Sequence, residues 1–71
     1  MYTIIELQTN NGVTIAAQPV VKATIEEARQ EYHTKASYAA VSSVEIHTVV
    51  LLNAEGQDVE KIICYKHQAQ G

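Results

Sequence analysis

The sequence contains one cysteine, one proline, no tryptophan and no phenylalanine. Because Cys64 is the only thiol, it has no partner within the chain, and an intramolecular disulfide framework is excluded. A domain of 71 residues buries only about 60% of the surface that its unfolded chain exposes, so its stability margin is thin. Self-association is the simplest remaining source of stability, and we therefore expect a homo-oligomer, most simply a dimer.

Basic residues and long apolar runs are also scarce. Five Lys and Arg against eight Asp and Glu leave a net charge of −3, which disfavours nucleic acid as a partner because its phosphates require basic side chains. No apolar stretch approaches the ~20 residues of a membrane span, and residues 1–7 lack the charged start and apolar run of a signal peptide. We expect a soluble, cytoplasmic protein with no membrane partner.

The chain begins with a pattern that is typical of a strand with one wet face. Over residues 3–9, apolar Ile5 and Leu7 alternate with polar Glu6 and Gln8, and successive side chains of a strand point to opposite faces. The Asn-Asn-Gly sequence at residues 10–12 then predicts a tight type I′ hairpin turn.

A second strand is predicted over residues 13–17, where the alternation continues. It is followed by Pro19, which cannot donate a hydrogen bond to a neighbouring strand. We therefore expect this second strand to lie at the edge of the sheet or to end near the proline.

A helix is predicted to begin at Ile25. Thr24 and Glu27 have the spacing of a capping box, in which side chains satisfy backbone groups at the start of a helix. One stripe at helical spacing is mostly small or apolar and is expected to face the sheet; it consists of Ile25, Ala28, Tyr32, Ala36, Ala39, Ala40 and Ser43. Tyr38 lies off this stripe and is a candidate for a protein contact, because tyrosine supplies a large contact area at interfaces.

Two further strands complete the predicted fold. Residues 44–52 indicate a long apolar central strand, residues 59–65 a last strand, and residues 67–71 a frayed tail. The fold class is therefore α+β: a single ββαββ domain over residues 1–71, with a four-stranded antiparallel sheet and one helix packed on one face. A right-handed crossover favours the strand order 2-1-3-4, with 2-1-4-3 as the alternative.

One helix covers one face of such a sheet, yet both faces contain apolar residues. The face that bears Glu6 also carries Tyr2 and Ile4, and the third strand is apolar on both sides. An exposed apolar face usually marks an interaction site. The predicted protein-interaction residues are Tyr2, Ile4, Tyr38, Val49, Leu51 and Ile62.

Metal binding and catalysis find little support. Cys64 and His67 have the spacing of half a zinc site, with His47 and His33 as further candidate ligands, but a complete zinc signature has two such pairs. No phosphate loop, GxSxG or HExxH motif occurs. No basic cluster flanks Cys64 in the sequence to activate its thiol. We therefore expect no enzyme, no cofactor and no metal.

Several motifs resemble those of a known group of proteins. They are Ile-Glu-Leu-Gln at residues 5–8, Ala-Ala-Val-Ser-Ser at residues 39–43, the strand containing His47, and Tyr-Lys-His at residues 65–67. With these motifs the chain resembles a family of small uncharacterised proteins encoded by phages and prophages of Gram-positive gut bacteria. The resemblance implies a setting in the bacterial host cell or in association with the virion, and no activity.

Three functional hypotheses follow. The preferred one is a non-enzymatic, phage-related accessory protein that self-associates, or binds another phage or host protein, through its open sheet face. The alternatives are an acidic inhibitor or regulator that binds a host protein, and a small metal-binding protein that uses Cys64, His67 and His47.

Overall fold

The computed structural model describes residues 1–67, and the last four residues of the predicted tail lie outside the described part of the chain. Its elements are β1 (Tyr2–Asn10), β2 (Val13–Ala16), β3 (Val20–Lys22), α1 (Ile25–Ala40), β4 (Ile46–Leu52) and β5 (Ile63–Lys66). The predicted α+β class is confirmed, with α1 on an antiparallel sheet. The predicted four-stranded ββαββ arrangement is wrong, because Val20–Lys22 forms an additional strand and makes the sheet five-stranded.

The sheet is built around β1 and β4. Their register pairs Thr3 with Leu52 and Thr9 with Ile46. The strand path is β2-β1-β4-β5, and β3 pairs with β1 outside this path. Because β4 occupies one side of β1 along most of its length, β2 and β3 share the other side. The neighbours along the path are those of the order 2-1-3-4 once the additional strand is counted.

A bulge separates β2 from β3. Leu7 pairs with Ala16 and Ile4 pairs with Val20, so two residues of β1 lie opposite three residues of the partner segment, including Pro19. The extra residue is a β-bulge, which bends the strand and interrupts its pairing. The expectation that the second strand lies at the sheet edge or ends near Pro19 came from the missing N–H of proline, and β2 does end at Ala16 at the end of the strand path. The return of the chain to β1 after the bulge was not anticipated.

The turn between β1 and β2 has the geometry that its sequence predicts. Asn11 has a φ of 54° and Gly12 a φ of 79°, so both central residues lie in the left-handed region that a type I′ turn requires. A Cβ on Gly12 would meet nothing within 4 Å. Glycine is therefore required by the backbone conformation and not by lack of space.

Contacts at both ends fix the length of α1. At the start, the amide of Glu27 donates to Oγ1 of Thr24 over 3.3 Å, and that hydroxyl donates to the Glu27 carboxylate over 3.1 Å. The predicted start at Ile25 is confirmed. At the other end, His67 donates from Nε2 to the carbonyl of Ala39 over 2.9 Å. His67, which the sequence placed in the frayed tail, thus satisfies a carbonyl at the helix C-terminus.

The core lies between α1 and one face of the sheet. Its fully buried members are Ile4, Val49 and Leu51 from the sheet and Ala28, Tyr32 and Ala39 from the helix. Small alanines let the helix backbone approach the strands, and each buried aliphatic side chain of the sheet contributes roughly 1.5–3 kcal/mol. Within residues 1–67, α1 is too short and too polar to cross a membrane.

Candidate functional site: the open face of the sheet

The helix covers the face of the sheet that the sequence analysis had assigned to a partner. Ile4, Val49 and Leu51 are all fully buried against α1. They are unavailable to another protein in the folded domain, so their assignment as interaction residues is wrong. The error arose because Glu6, on the same face as Ile4, was interpreted as a sign of contact with water.

Glu6 is instead paired beneath the helix. One carboxylate oxygen accepts a hydrogen bond from Nε2 of His47, and the other lies 4.0 Å from Nζ of Lys35. Lys35 also lies 3.5 Å from the carboxylate of Glu31, one turn earlier on α1. Charges can be kept away from bulk water when they are paired and hydrogen-bonded. We call Glu6, Glu31, Lys35 and His47 the polar cluster.

His47 is the most buried member of the polar cluster, at 3% exposure. Its Nδ1 has no hydrogen-bond partner among the described residues. Since a carboxylate only accepts, Nε2 of His47 is the donor in the contact with Glu6. This cluster was not predicted from the sequence. The available signal was a histidine on a strand whose same-face neighbours are apolar, together with an acid on the adjacent strand.

The other predicted interaction residues have different surroundings. Tyr2 is half-buried and packs against the core. Tyr38 is 68% exposed on the outer side of α1 and Ile62 is 49% exposed before β5. Tyr38 lines an open groove with Gln30, His33, Thr34 and Ser37. These two side chains remain accessible, but they do not lie on one surface with each other or with the buried three.

The opposite face of the sheet is not covered by any described element. Alternation and strand pairing place on it Thr3, Ile5, Leu7 and Thr9 from β1, Thr14 and Ala16 from β2, Val21 from β3, Ile46, Thr48, Val50 and Leu52 from β4, and Cys64 and Lys66 from β5. We call this set the open face. Ile5 pairs with Val50, and Leu7 with Thr48, so aliphatic groups occupy its centre. The open face therefore presents methyl and hydroxyl groups to its surroundings.

Charged groups occur only at the margin of the open face. Lys66 pairs with Ile46 at one end of β4, and Asp58 forms an isolated bridge with Leu52 at the other end. Directly paired residues project to the same side of a sheet. Because β1 occupies the other side of β4, both charges lie along the same edge, with opposite signs at opposite ends.

The candidate metal ligands do not converge. Cys64 is on the open face, where it accepts a hydrogen bond from the Thr48 hydroxyl over 3.5 Å. His47 is under the helix, and His67 contacts the helix C-terminus. Within residues 1–67, no group of three or more His, Cys, Asp or Glu side chains is arranged to hold a metal ion. The structure thus gives no support to a shared site formed by Cys64, His67 and His47.

Two contacts attach the connection between β4 and β5 to the helix. The hydroxyl of Tyr32 donates to the carbonyl of Lys61, and Nε of Arg29 lies 2.5 Å from the Glu60 carboxylate. Burial raises the pKa of Tyr32 above its ordinary value, with smaller contributions from the nearby Glu60 and Tyr65. The connection is therefore held on the helix side, which leaves the open face clear.

The chain matches no protein-family model, no curated protein and no solved structure. Its resemblance to phage-encoded proteins therefore stays a prediction. The open face and the polar cluster are the two structural features that bear on function.

Proposed function

We propose that this chain is a non-enzymatic accessory domain that acts by self-association through the open face of its sheet. The observation that carries the proposal is an apolar sheet face with no covering element among the described residues. Exposed apolar surfaces of this kind usually mark interaction sites. The polar cluster suits a structural role better than a catalytic one, because His47 is buried under α1 and out of reach of a substrate.

A second copy of the chain fits the open face by its charges. The two-fold axis lies in the plane between the two open faces and runs perpendicular to β4. Rotation about it brings the two faces together and reverses the strand direction. It places Lys66 of one copy against Asp58 of the other, and the symmetry forms this pair twice. No residue of the open face carries a carboxylate, since Glu6 of β1 projects to the covered face, so two copies of net charge −3 meet without opposing acids.

The proposed contact also suits the geometry of packed sheets. Facing sheets lie about 10 Å apart with their strands within about 30° of alignment, and their side chains interdigitate. Ile5, Leu7 and Val50 would form the centre of the contact, with threonines around them. Standard interfaces bury about 800 Å² on each partner, and a single small sheet face is at the lower end of that range. The proposal is therefore a reversible dimer.

The setting proposed for this self-association is a phage or prophage, in the cytoplasm of the bacterial host or in association with the virion. Support for the setting comes from the motif resemblance alone, and support for the contact comes from the open face. The two parts of the proposal can therefore fail separately.

Sedimentation equilibrium of charge variants tests the contact. Lys66→Asp and Asp58→Lys each replace two attractive pairs by two repulsive ones, and exposed pairs are worth roughly 0.2–1 kcal/mol each, so each variant should weaken the dimer by about tenfold at low salt. The double variant, which exchanges the two charges, should restore the wild-type dissociation constant. Thr34→Lys, which adds a positive charge on the outer side of α1, should leave the dissociation constant unchanged.

A protein partner other than a second copy predicts a different result. Wild type would then remain a monomer at all concentrations, and the double variant would show no recovery. Either finding overturns self-association through this face. A second test uses Val50→Lys, which places a charge at the centre of the open face and should abolish association through that face while the domain stays folded by circular dichroism.

A further inference from the structure

The outer edge of β2 is a second surface that has features of a contact site. From Leu7 to Val21 the chain contains no charged residue. Within this segment Val13 is 62% exposed and Ile15 is 66% exposed, and β2 is the last strand on its side of the sheet. Natural proteins usually protect edge strands with charges, because an uncovered edge pairs readily with another strand.

The hydrogen-bond pattern identifies which groups of β2 are free. The amide of Ala17 donates to the carbonyl of Glu6 over 2.9 Å. The backbone groups of Ala17 therefore point towards β1. Bonded and non-bonded pairs alternate along antiparallel strands, so Val13 and Ile15 are also bonded to β1. The backbone groups of Thr14 and Ala16 therefore point away from the sheet, towards an additional strand.

We propose that the β2 edges of two copies pair as antiparallel strands about a two-fold axis at Ile15. This register places Thr14 opposite Ala16 of the second copy, so that their outward N–H and C=O groups form four hydrogen bonds. Ile15 then faces its own counterpart across a non-bonded pair, where opposing Cα atoms approach to about 4.5 Å. The pairing buries the two exposed apolar side chains of β2.

The rest of the molecule allows this approach. Among the described elements, α1 contacts β1, β3, β4 and β5 but not β2, so the helix does not overhang the edge. The absence of charge between Leu7 and Val21 lets two negatively charged copies meet there. The edge contact uses different atoms from the open face, and it goes beyond the proposed function without depending on it. A copy with both contacts would join an open-ended chain of subunits.

Cross-linking through an introduced cysteine tests the edge contact. The background is Cys64→Ser, which removes the native thiol. In that background Ile15→Cys should form an intermolecular disulfide in a glutathione redox buffer, because the Cα separation of the non-bonded pair lies within the disulfide range. The matched control is Val13→Cys, whose two copies would be offset by roughly 14 Å along the strands and should stay reduced.

The outcomes separate this contact from the open-face dimer. Rapid cross-linking of Ile15→Cys but not of Val13→Cys supports the edge pairing, and it should persist when Val50→Lys is added to disrupt the open face. No cross-linking of Ile15→Cys, or equal rates for the two cysteine variants, overturns it. Loss of the cross-link in Val50→Lys would show that the edge has no contact of its own and would also overturn the proposal.

Discussion

Glu6 on β1 and His47 on β4 are joined beneath the helix by a hydrogen bond between a carboxylate oxygen and Nε2. Lys35 approaches the same carboxylate to 4.0 Å and so connects the pair to α1. The polar cluster therefore joins three elements on the covered face, whereas the open face has no comparable group. The polar cluster thus holds α1 on one face of the sheet, and among the described residues no element covers the other face.

Replacing Glu6 by alanine should destabilise the fold. The variant leaves the buried His47 without its acceptor, and an unsatisfied buried polar group costs roughly 1–3 kcal/mol. Urea unfolding monitored by circular dichroism measures the loss. Glu31→Ala is the control, because it removes only the 3.5 Å contact with Lys35 and should cost less than about 0.5 kcal/mol. Equal losses for the two variants would contradict the role given to Glu6.

Tyr32→Phe should lower stability by about 1 kcal/mol, since it removes the hydrogen bond to the Lys61 carbonyl. It should also change the response to alkaline pH. Because the folded-state pKa of Tyr32 lies above the ordinary 10.0, its contribution is fully present below that pH and is lost as the pH rises through the folded value.

Urea unfolding at about pH 8 and about pH 11 tests this second effect. Wild type should lose more stability between the two conditions than Tyr32→Phe does. Tyr2, Tyr38 and Tyr65 are present in both proteins, so their own titration cancels in the comparison. An identical loss in the two proteins would contradict the pKa assignment.

Replacing Thr24, the N-cap of α1, and Thr34, within α1, by alanine should change the stability of the domain in opposite directions. Thr24→Ala removes the N-cap that accepts from the Glu27 amide and should cost about 1 kcal/mol. Thr34 lies within the helix and donates to the Gln30 carbonyl over 2.8 Å, so Thr34→Ala should gain a few tenths of a kcal/mol from higher helix propensity, roughly. Thermal unfolding checks both signs, and a loss of stability in Thr34→Ala would contradict this account.

Local signals in the sequence correctly predicted the turn between β1 and β2 and the start of the helix. A type I′ turn needs positive φ at two adjacent residues, which Asn11 and Gly12 tolerate. The spacing of Thr24 and Glu27 likewise defined the first residue of α1. Such signals are reliable because the backbone geometry that they reflect involves only a few neighbouring residues.

The face of the sheet that α1 covers could not be predicted from such local signals. Val49 and Leu51 alternate with Val50 and Leu52, so β4 is apolar on both sides, and the single charge of Glu6 on β1 pointed to the wrong one. What reverses that inference is a pairing with His47, 41 residues away in the chain. The pairing of β3 with β1 after the bulge is likewise a long-range contact. The sequence of residues 17–19 does not predict it.

The central claim is that copies of the chain meet through the open face, and intermolecular NOEs test it most directly. The sample mixes one chain labelled at its methyl groups with an unlabelled chain, at high concentration. The account predicts intermolecular NOEs from the methyl groups of Val50, Ile5 and Leu7. Intermolecular NOEs confined to Tyr38 on the outer side of α1 and to the exposed Val41 that caps its C-terminus, or none from the open face, would contradict it.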